Sequence, residues 1–90
     1  MTIEQRVRLE TEVARMIVEA LNLEVSAEEI DPLAPLFREG LGLDSIDMLE
    51  ISLVLSRHYG FTLRSDDPEI ARIFASLRDL SAHIAEHRTK

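Results

Sequence analysis

Apolar residues in this chain recur every three or four positions, and only Phe61 to Leu63 alternates as a strand would. A single three-residue strand has nothing to pair with, so sheet-based folds fall away. From Ile3 to Leu21 the apolar positions Val7, Val13, Met16, Ile17, Ala20 and Leu21 share one stripe, which predicts an amphipathic helix. A second helix is expected over about Ile46 to Tyr59, opened by Asp44 or Ser45 as N-cap, with Asp47 in its first turn and Gly60 as its stop. Its inward face is read as Ile46, Leu49 and Leu53, joined by Met48, Leu55 and Tyr59. A short third helix is expected near Pro68 to Ile73, capped by Ser65 or Asp66. A last one opens at Ser76 to Asp79, which resembles a capping box, and turns Leu77, Leu80 and Ile84 inward.

Between the first two helices, Asn22 to Leu43 holds Pro32, Pro35, Gly40 and Gly42 and keeps no period, so it reads as a long structured loop. Its Val25, Ile30, Leu33, Leu36, Phe37, Leu41 and Leu43 are expected to pin it across the core. The sum is an all-α bundle of three long helices and one short one, in one domain over residues 1–90. The expected core includes Phe37, Leu49, Leu53, Phe61, Ile70, Phe74 and Leu80.

Ninety residues, 46% of them hydrophobic, suffice for one small domain but leave little depth for an enclosed active site. The chain has no cysteine, which excludes disulfides, thiolate metal sites and a cysteine nucleophile of its own. Its longest apolar runs are three residues, and Glu4, Arg6, Arg8 and Glu10 interrupt the start, so neither a membrane span nor a signal peptide is expected. A soluble, cytoplasmic protein that does not engage membranes follows as the expectation. The net charge of -7 is concentrated in the middle, where residues 22–60 hold eight acids and two bases. Such a face repels phosphate backbones and steers toward basic protein surfaces, which makes nucleic acid an unsuitable partner.

The segment with chemical character is Gly40-Leu41-Gly42-Leu43-Asp44-Ser45-Ile46-Asp47-Met48-Leu49-Glu50. It sets a serine at a helix N-terminus behind two glycines, which let a ligand or another backbone approach closely. With carboxylates as neighbours and no His or Lys nearby in sequence to take its proton, Ser45 is a poor nucleophile, and a serine-protease reading fails. A serine that only caps the helix is the plain alternative, worth about 1 kcal/mol.

With these residues in view, the chain resembles the acyl carrier proteins, whose phosphopantetheine attachment motif, an Asp-Ser-Leu core, stands here as Asp44-Ser45-Ile46. The likeness extends over most of the chain, from Ile30-Asp31-Pro32 and Leu36-Phe37 through Gly42-Leu43-Asp44-Ser45 and Gly60-Phe61 to the closing helix around Leu77 to Ile84. It implies the four-helix acyl-carrier bundle, a non-enzymatic role, and a covalent 4′-phosphopantetheine on Ser45, placed there by a phosphopantetheinyl transferase using coenzyme A. The arm's thiol would hold acyl or polyketide intermediates as thioesters in fatty-acid-like biosynthesis. Gly42, Leu43, Asp44, Ile46, Asp47 and Glu50 would supply the motif and the recognition surface for a ketosynthase and other acyl-processing enzymes with basic patches. The carrier is expected to be a monomer.

Where acidic residues are common in the family, this chain has Ser56, Arg57 and His58, a departure that sets it apart from generic fatty-acid carriers. Together with Arg57-His58-Tyr59-Gly60, Ser65-Asp66-Asp67 and Ile73-Phe74-Ala75-Ser76-Leu77-Arg78, it is similar to carriers of aryl-polyene-type pathways. The rivals are a peptidyl carrier with the same arm and an unmodified helical adaptor docking through its acidic face. His83-Ile84-Ala85-Glu86-His87 spells H-x-x-E-H, an inverted zinc-protease motif, but a catalytic zinc needs a third ligand and a cleft, and only three residues follow His87. Two solvated histidines near a helix C-terminus are the preferred reading, and no metal is expected. Calcium is excluded because no segment offers its loop pattern.

Overall fold

The computed structural model describes residues 2–36, 44–63 and 67–89, with Ser45 described through its backbone. Four α-helices follow in order: α1 (Ile3–Leu21), α2 (Ser45–Tyr59), α3 (Ile70–Ile73) and α4 (Leu77–His87). The first packs against α2 and α4, making it the central element, and α3 lies against α4. The described residues contain no strand; Phe61 to Leu63 stays irregular, and the one isolated bridge joins Pro35 to Ser76. The all-α bundle of three long helices and one short one is thus the observed architecture.

Local chemistry sets the helix ends. Thr2 and Gln5 form a capping box at the start of α1, and Asn22 closes it in the left-handed conformation, φ 52°. Gly60 ends α2 at φ 67°, where a Cβ would be penalised. Ser76 caps α4 by accepting from the Asp79 amide at 3.1 Å. Its hydroxyl also donates to the Asp79 carboxylate, so Asp79 serves the cap side chain to side chain where a full box would have it take the Ser76 amide. The third helix is shorter than expected. It begins at Ile70 with Glu69 as its cap residue, and the preceding turn is organised by Asp67, whose carboxylate accepts the Glu69 amide at 2.8 Å; Ser65 and Asp66 lie outside the described residues.

The core is built from Leu9, Val13, Ala14 and Ile17 of α1, Ile51, Leu55 and Tyr59 of α2, Ile73 and Phe74, and Leu77, Leu80 and Ile84 of α4. Two inward faces differ from the sequence reading. In α1, Val7 is half exposed and the buried set includes Glu10, whose carboxylate takes Arg78 Nε at 3.1 Å. In α2, Ile46, Leu49 and Leu53 point outward, and the inner series is Met48, Ile51, Ser52, Leu55 and Tyr59. Ser52 tolerates its burial because its hydroxyl donates to the Met48 carbonyl at 2.7 Å. Tyr59 fixes the register: its fully buried ring sends its hydroxyl to Glu12 of α1 at 2.6 Å.

The loop after α1 contains a short 3-10 turn, Ala27–Glu29, that the irregular composition hid. Ile30 and Leu36 anchor it in the core and Val25 packs against that core, whereas Leu33 is exposed. Phe37, Leu41 and Leu43 lie outside the described residues. Pro32 accepts the Arg78 amide at 3.0 Å, which ties the loop to α4 beside the Glu10–Arg78 pair. Phe61 and Ile70 are partly buried against the core.

Candidate functional site

The head of α2 is set by two aspartates. Asp44 is the N-cap, in extended backbone, and its Oδ1 accepts the amides of Ile46 and Asp47, each at 3.0 Å. Asp47 returns the bond by accepting the Asp44 amide at 3.1 Å. This reciprocal box settles the two sequence alternatives: Asp44 caps, and Ser45 is the first helical residue. Both flanking residues, Asp44 and Ile46, are exposed. Gly42 and Leu43, together with Gly40 and Leu41, lie outside the described residues.

From this head an apolar stripe runs along the outside of the helix. Ile46 is 75% exposed, Leu49 47% and Leu53 51%. Their spacing of three and four places them on one side, with the exposed Glu50 beside them. The periodicity placed Ile46, Leu49 and Leu53 alike on the inward face, with Ile46 and Glu50 given a recognition role only through the family resemblance, and so it missed the stripe. The available signal was the second series, Met48, Ser52, Leu55 and Tyr59, which competes for the inside once serine is admitted as a core residue.

The far end of α2 has a different character. Arg57 and His58 are exposed, and His58 Nε2 lies 3.6 Å from the Glu12 carboxylate that also holds Tyr59. Burial, reinforced by the bond to Glu12, pushes the Tyr59 hydroxyl well above its ordinary range, so the phenol stays protonated. Arg88 lies over the ring, 4.8 Å from its centroid, and Thr89 donates to the Tyr59 and Gly60 carbonyls. The acidic head and the basic tail of one helix face therefore differ in sign. Two shallow grooves beside α1 meet this tail at His58 and Arg88, and neither includes a residue of the α2 head.

Among the described residues, most other hydroxyls are buried or bound into the fold. Ser52 and Ser81 are buried, Ser76 caps α4, and Ser56 accepts the Leu63 amide at 3.2 Å. Ser26 bonds to Glu29, Thr2 caps α1 and Thr11 donates to the Val7 carbonyl. On α4, the imidazoles of His83 and His87 stack at 4.1 Å, and no group of three or more His, Cys, Asp or Glu placed to hold a metal occurs among the described residues. Burial, and then the neighbouring His87, draw the His83 imidazole below its ordinary value. Among the described residues, no helix is long and apolar enough to cross a membrane.

The family model for the phosphopantetheine attachment site matches residues 11–84, most of the chain and all of α2. An acyl carrier protein of Nitratidesulfovibrio vulgaris strain Miyazaki F is 33% identical over 76 residues, covering 84% of this chain and 92% of the relative. The acyl carrier protein of strain DP4 of that species is 36% identical over 61 residues, covering 68% of this chain and 76% of the relative. Family match, identity and helical bundle agree: the chain belongs to the acyl carrier protein family, with covalent 4′-phosphopantetheine as its prosthetic group.

Proposed function

We propose that Ser45 is the attachment residue and that residues 1–90 form one carrier domain holding acyl or polyketide intermediates as thioesters. The observation that carries this reading is the position of Ser45 at the first turn of α2 between two exposed residues, while Ser52, Ser56, Ser76 and Ser81 are buried or bound into the fold. The surroundings fit a tethered arm. Asp44 takes the Ile46 and Asp47 amides through its carboxylate and the Met48 amide through its carbonyl, so these first-turn donors are committed, and a phosphate here is held by its covalent bond rather than in a cradle. When attached, the group supplies a thiol, which this cysteine-free chain lacks.

The chain does no chemistry of its own in this reading. With its carboxylate engaged by two amides, Asp44 is poorly suited to take a proton from Ser45. A transferase therefore removes that proton as the serine oxygen bonds to the pantetheine phosphate of coenzyme A, and the nucleotide part departs. Recognition falls to the acidic head formed by Asp44, Asp47 and Glu50, to Gly42, Leu43 and Ile46, and to the outward Leu49 and Leu53. Apolar contacts give affinity while the carboxylates steer encounter with basic patches on the transferase, a ketosynthase and other acyl-processing enzymes. Arg57 and His58 at the far end favour partners whose docking surface is not uniformly basic, in keeping with a specialised fatty-acid-like route of the aryl-polyene kind. The carrier works as a cytoplasmic monomer.

Incubation of the unmodified chain with a phosphopantetheinyl transferase and coenzyme A, followed by intact mass measurement, tests this reading. One phosphopantetheine should be added, and none to Ser45→Ala. No addition, or equal addition to the variant, overturns it.

A further inference from the structure

We propose that His83 and His87 form a two-point clamp for a divalent transition-metal ion of borderline softness, such as Ni(II), Cu(II) or Zn(II), on the outer side of α4. The inner side of that helix is committed to the core through Leu77, Leu80, Ser81 and Ile84. Residues 83 and 87 are one turn apart on the other side, where four-residue spacing brings side chains together. Their rings already run nearly parallel, centroids 4.1 Å apart and planes 22° from each other. Two nitrogens at about 2.0–2.1 Å from a tetrahedral ion sit roughly 3.3 Å apart. Because each lone pair lies in its ring plane, the stacked rings must turn about their χ2 torsions for both to aim a nitrogen at one ion.

A second observation concerns the tautomer. Nδ1 of His87 lies 2.9 Å from the His83 carbonyl oxygen, which can only accept. Nδ1 therefore carries a proton, and in the neutral ring the lone pair is on Nε2. This is the pattern by which a backbone carbonyl orients a metal-binding imidazole and raises its basicity. His83 is half-buried and meets the Phe61 ring edge-on at 5.9 Å, which keeps its imidazole on the outer side of α4 beside His87. Electrostatics favour a cation. The pair sits in the last turns of α4, at the negative end of the helix dipole, in a chain of net charge -7. Of the charged groups near His83, Glu86 and Asp67 are negative, and Arg72 is held by Glu69 at 2.6 Å.

Two protein ligands leave coordination positions to water, so this is a surface clamp and not the catalytic zinc of a protease. The proposal does not depend on the carrier reading. Its test is titration of the full untagged chain, without the arm whose thiol would bind the same metals, with Ni(II) by calorimetry and with Cu(II) by paramagnetic broadening of amide resonances. Binding at one site is expected, with broadening centred on residues 83–88. His83→Ala and His87→Ala should each weaken it by at least about tenfold, since losing a direct ligand costs no less than losing an outer-shell partner, while His58→Ala should not. Circular dichroism checks that each variant is folded. Unchanged affinity in both α4 variants, loss of binding in His58→Ala, or broadening centred on Asp44 to Glu50 overturns the proposal.

Discussion

Leu53 and Leu55 stand two residues apart on the same helix, and truncating each tests opposite properties of the molecule. Leu49 and Leu53 keep 47% and 51% of their surface in water, whereas Leu55 keeps 1%. Moving a whole leucine out of water is worth about 1.5–3 kcal/mol, so covering the half that remains exposed contributes roughly 0.7–1.5 kcal/mol per residue on docking. Leu49→Ala with Leu53→Ala should therefore lower kcat/KM for transferase loading by about 10- to 140-fold, at roughly tenfold per 1.4 kcal/mol. The half of each side chain that the fold already covers also counts, so each of these truncations should cost stability up to about 1 kcal/mol. Leu55→Ala leaves a cavity between α1 and α2 and should cost about 2–5 kcal/mol of stability. In a domain this small each kcal/mol lowers Tm by roughly 4–8 °C. Steady-state loading kinetics and thermal melts by circular dichroism separate the two effects. An outer double variant that loads at the parental rate, or melts as early as Leu55→Ala, would refute the assignment of the outer stripe to docking.

Further outcomes follow from the contacts that lock the bundle. Arg78→Met strands the Glu10 carboxylate, 5% exposed; Arg78 is itself about a third exposed, so the expected loss in urea unfolding is roughly 2–3 kcal/mol, below the full cost of a deeply buried pair, and Glu10→Gln in the same chain should restore most of it. Tyr59→Phe removes the bond to Glu12 and should cost about 1–1.5 kcal/mol. The raised tyrosine pKa also sets a pH dependence. The bond's stabilisation is complete below the ordinary value of 10.0, and is lost as pH rises above it, because the unfolded chain ionises first. Phenolate absorbance of the chain's one tyrosine reports this directly, and ionisation near the ordinary value in the folded state would contradict the buried geometry. Gly60→Ala forces a Cβ into φ 67° and should lower stability by about 1 kcal/mol by thermal melt; an unchanged Tm would count against the left-handed cap.

The helix boundaries were the most legible feature because they are written in local chemistry. Asp44 with Asp47, Gly60, and Ser76 with Asp79 act within a few residues of themselves, and each stands where its pattern places it. The inward faces were harder to read, for a reason shared by α1 and α2. Each buries a polar residue and exposes apolar ones. Glu10 is inside because Arg78, far along the chain, meets it there; Ser52 is inside because a carbonyl of its own helix accepts its hydrogen bond. Neither partnership is visible to a periodicity argument, which then places Val7, Leu49 and Leu53 in the core. The same locality explains α3, where Pro68 and a cap at Ser65 or Asp66 suggest an early start but the Asp67 turn delays it to Ile70.

That failure of periodicity also bears on function. Turning Ile46, Leu49 and Leu53 toward water leaves about half or more of three large apolar side chains unburied in a domain that has few to spare. Folding alone gives no return for this arrangement, since the same helix could have placed polar residues there without disturbing Ile51, Leu55 or Tyr59. A partner that covers the stripe does give one. The stripe begins at the first turn, beside Ser45, so a protein that docks on it is carried to the proposed attachment site. Asp44 and Asp47 meanwhile hold that turn rigid through their reciprocal bonds while still presenting negative charge at its rim. One pair of aspartates thus sets the helix start and the electrostatics of approach together, which is why replacing either should disturb both the fold and delivery, whereas Glu50, exposed and outside the capping box, is the position at which charge reversal isolates recognition from stability.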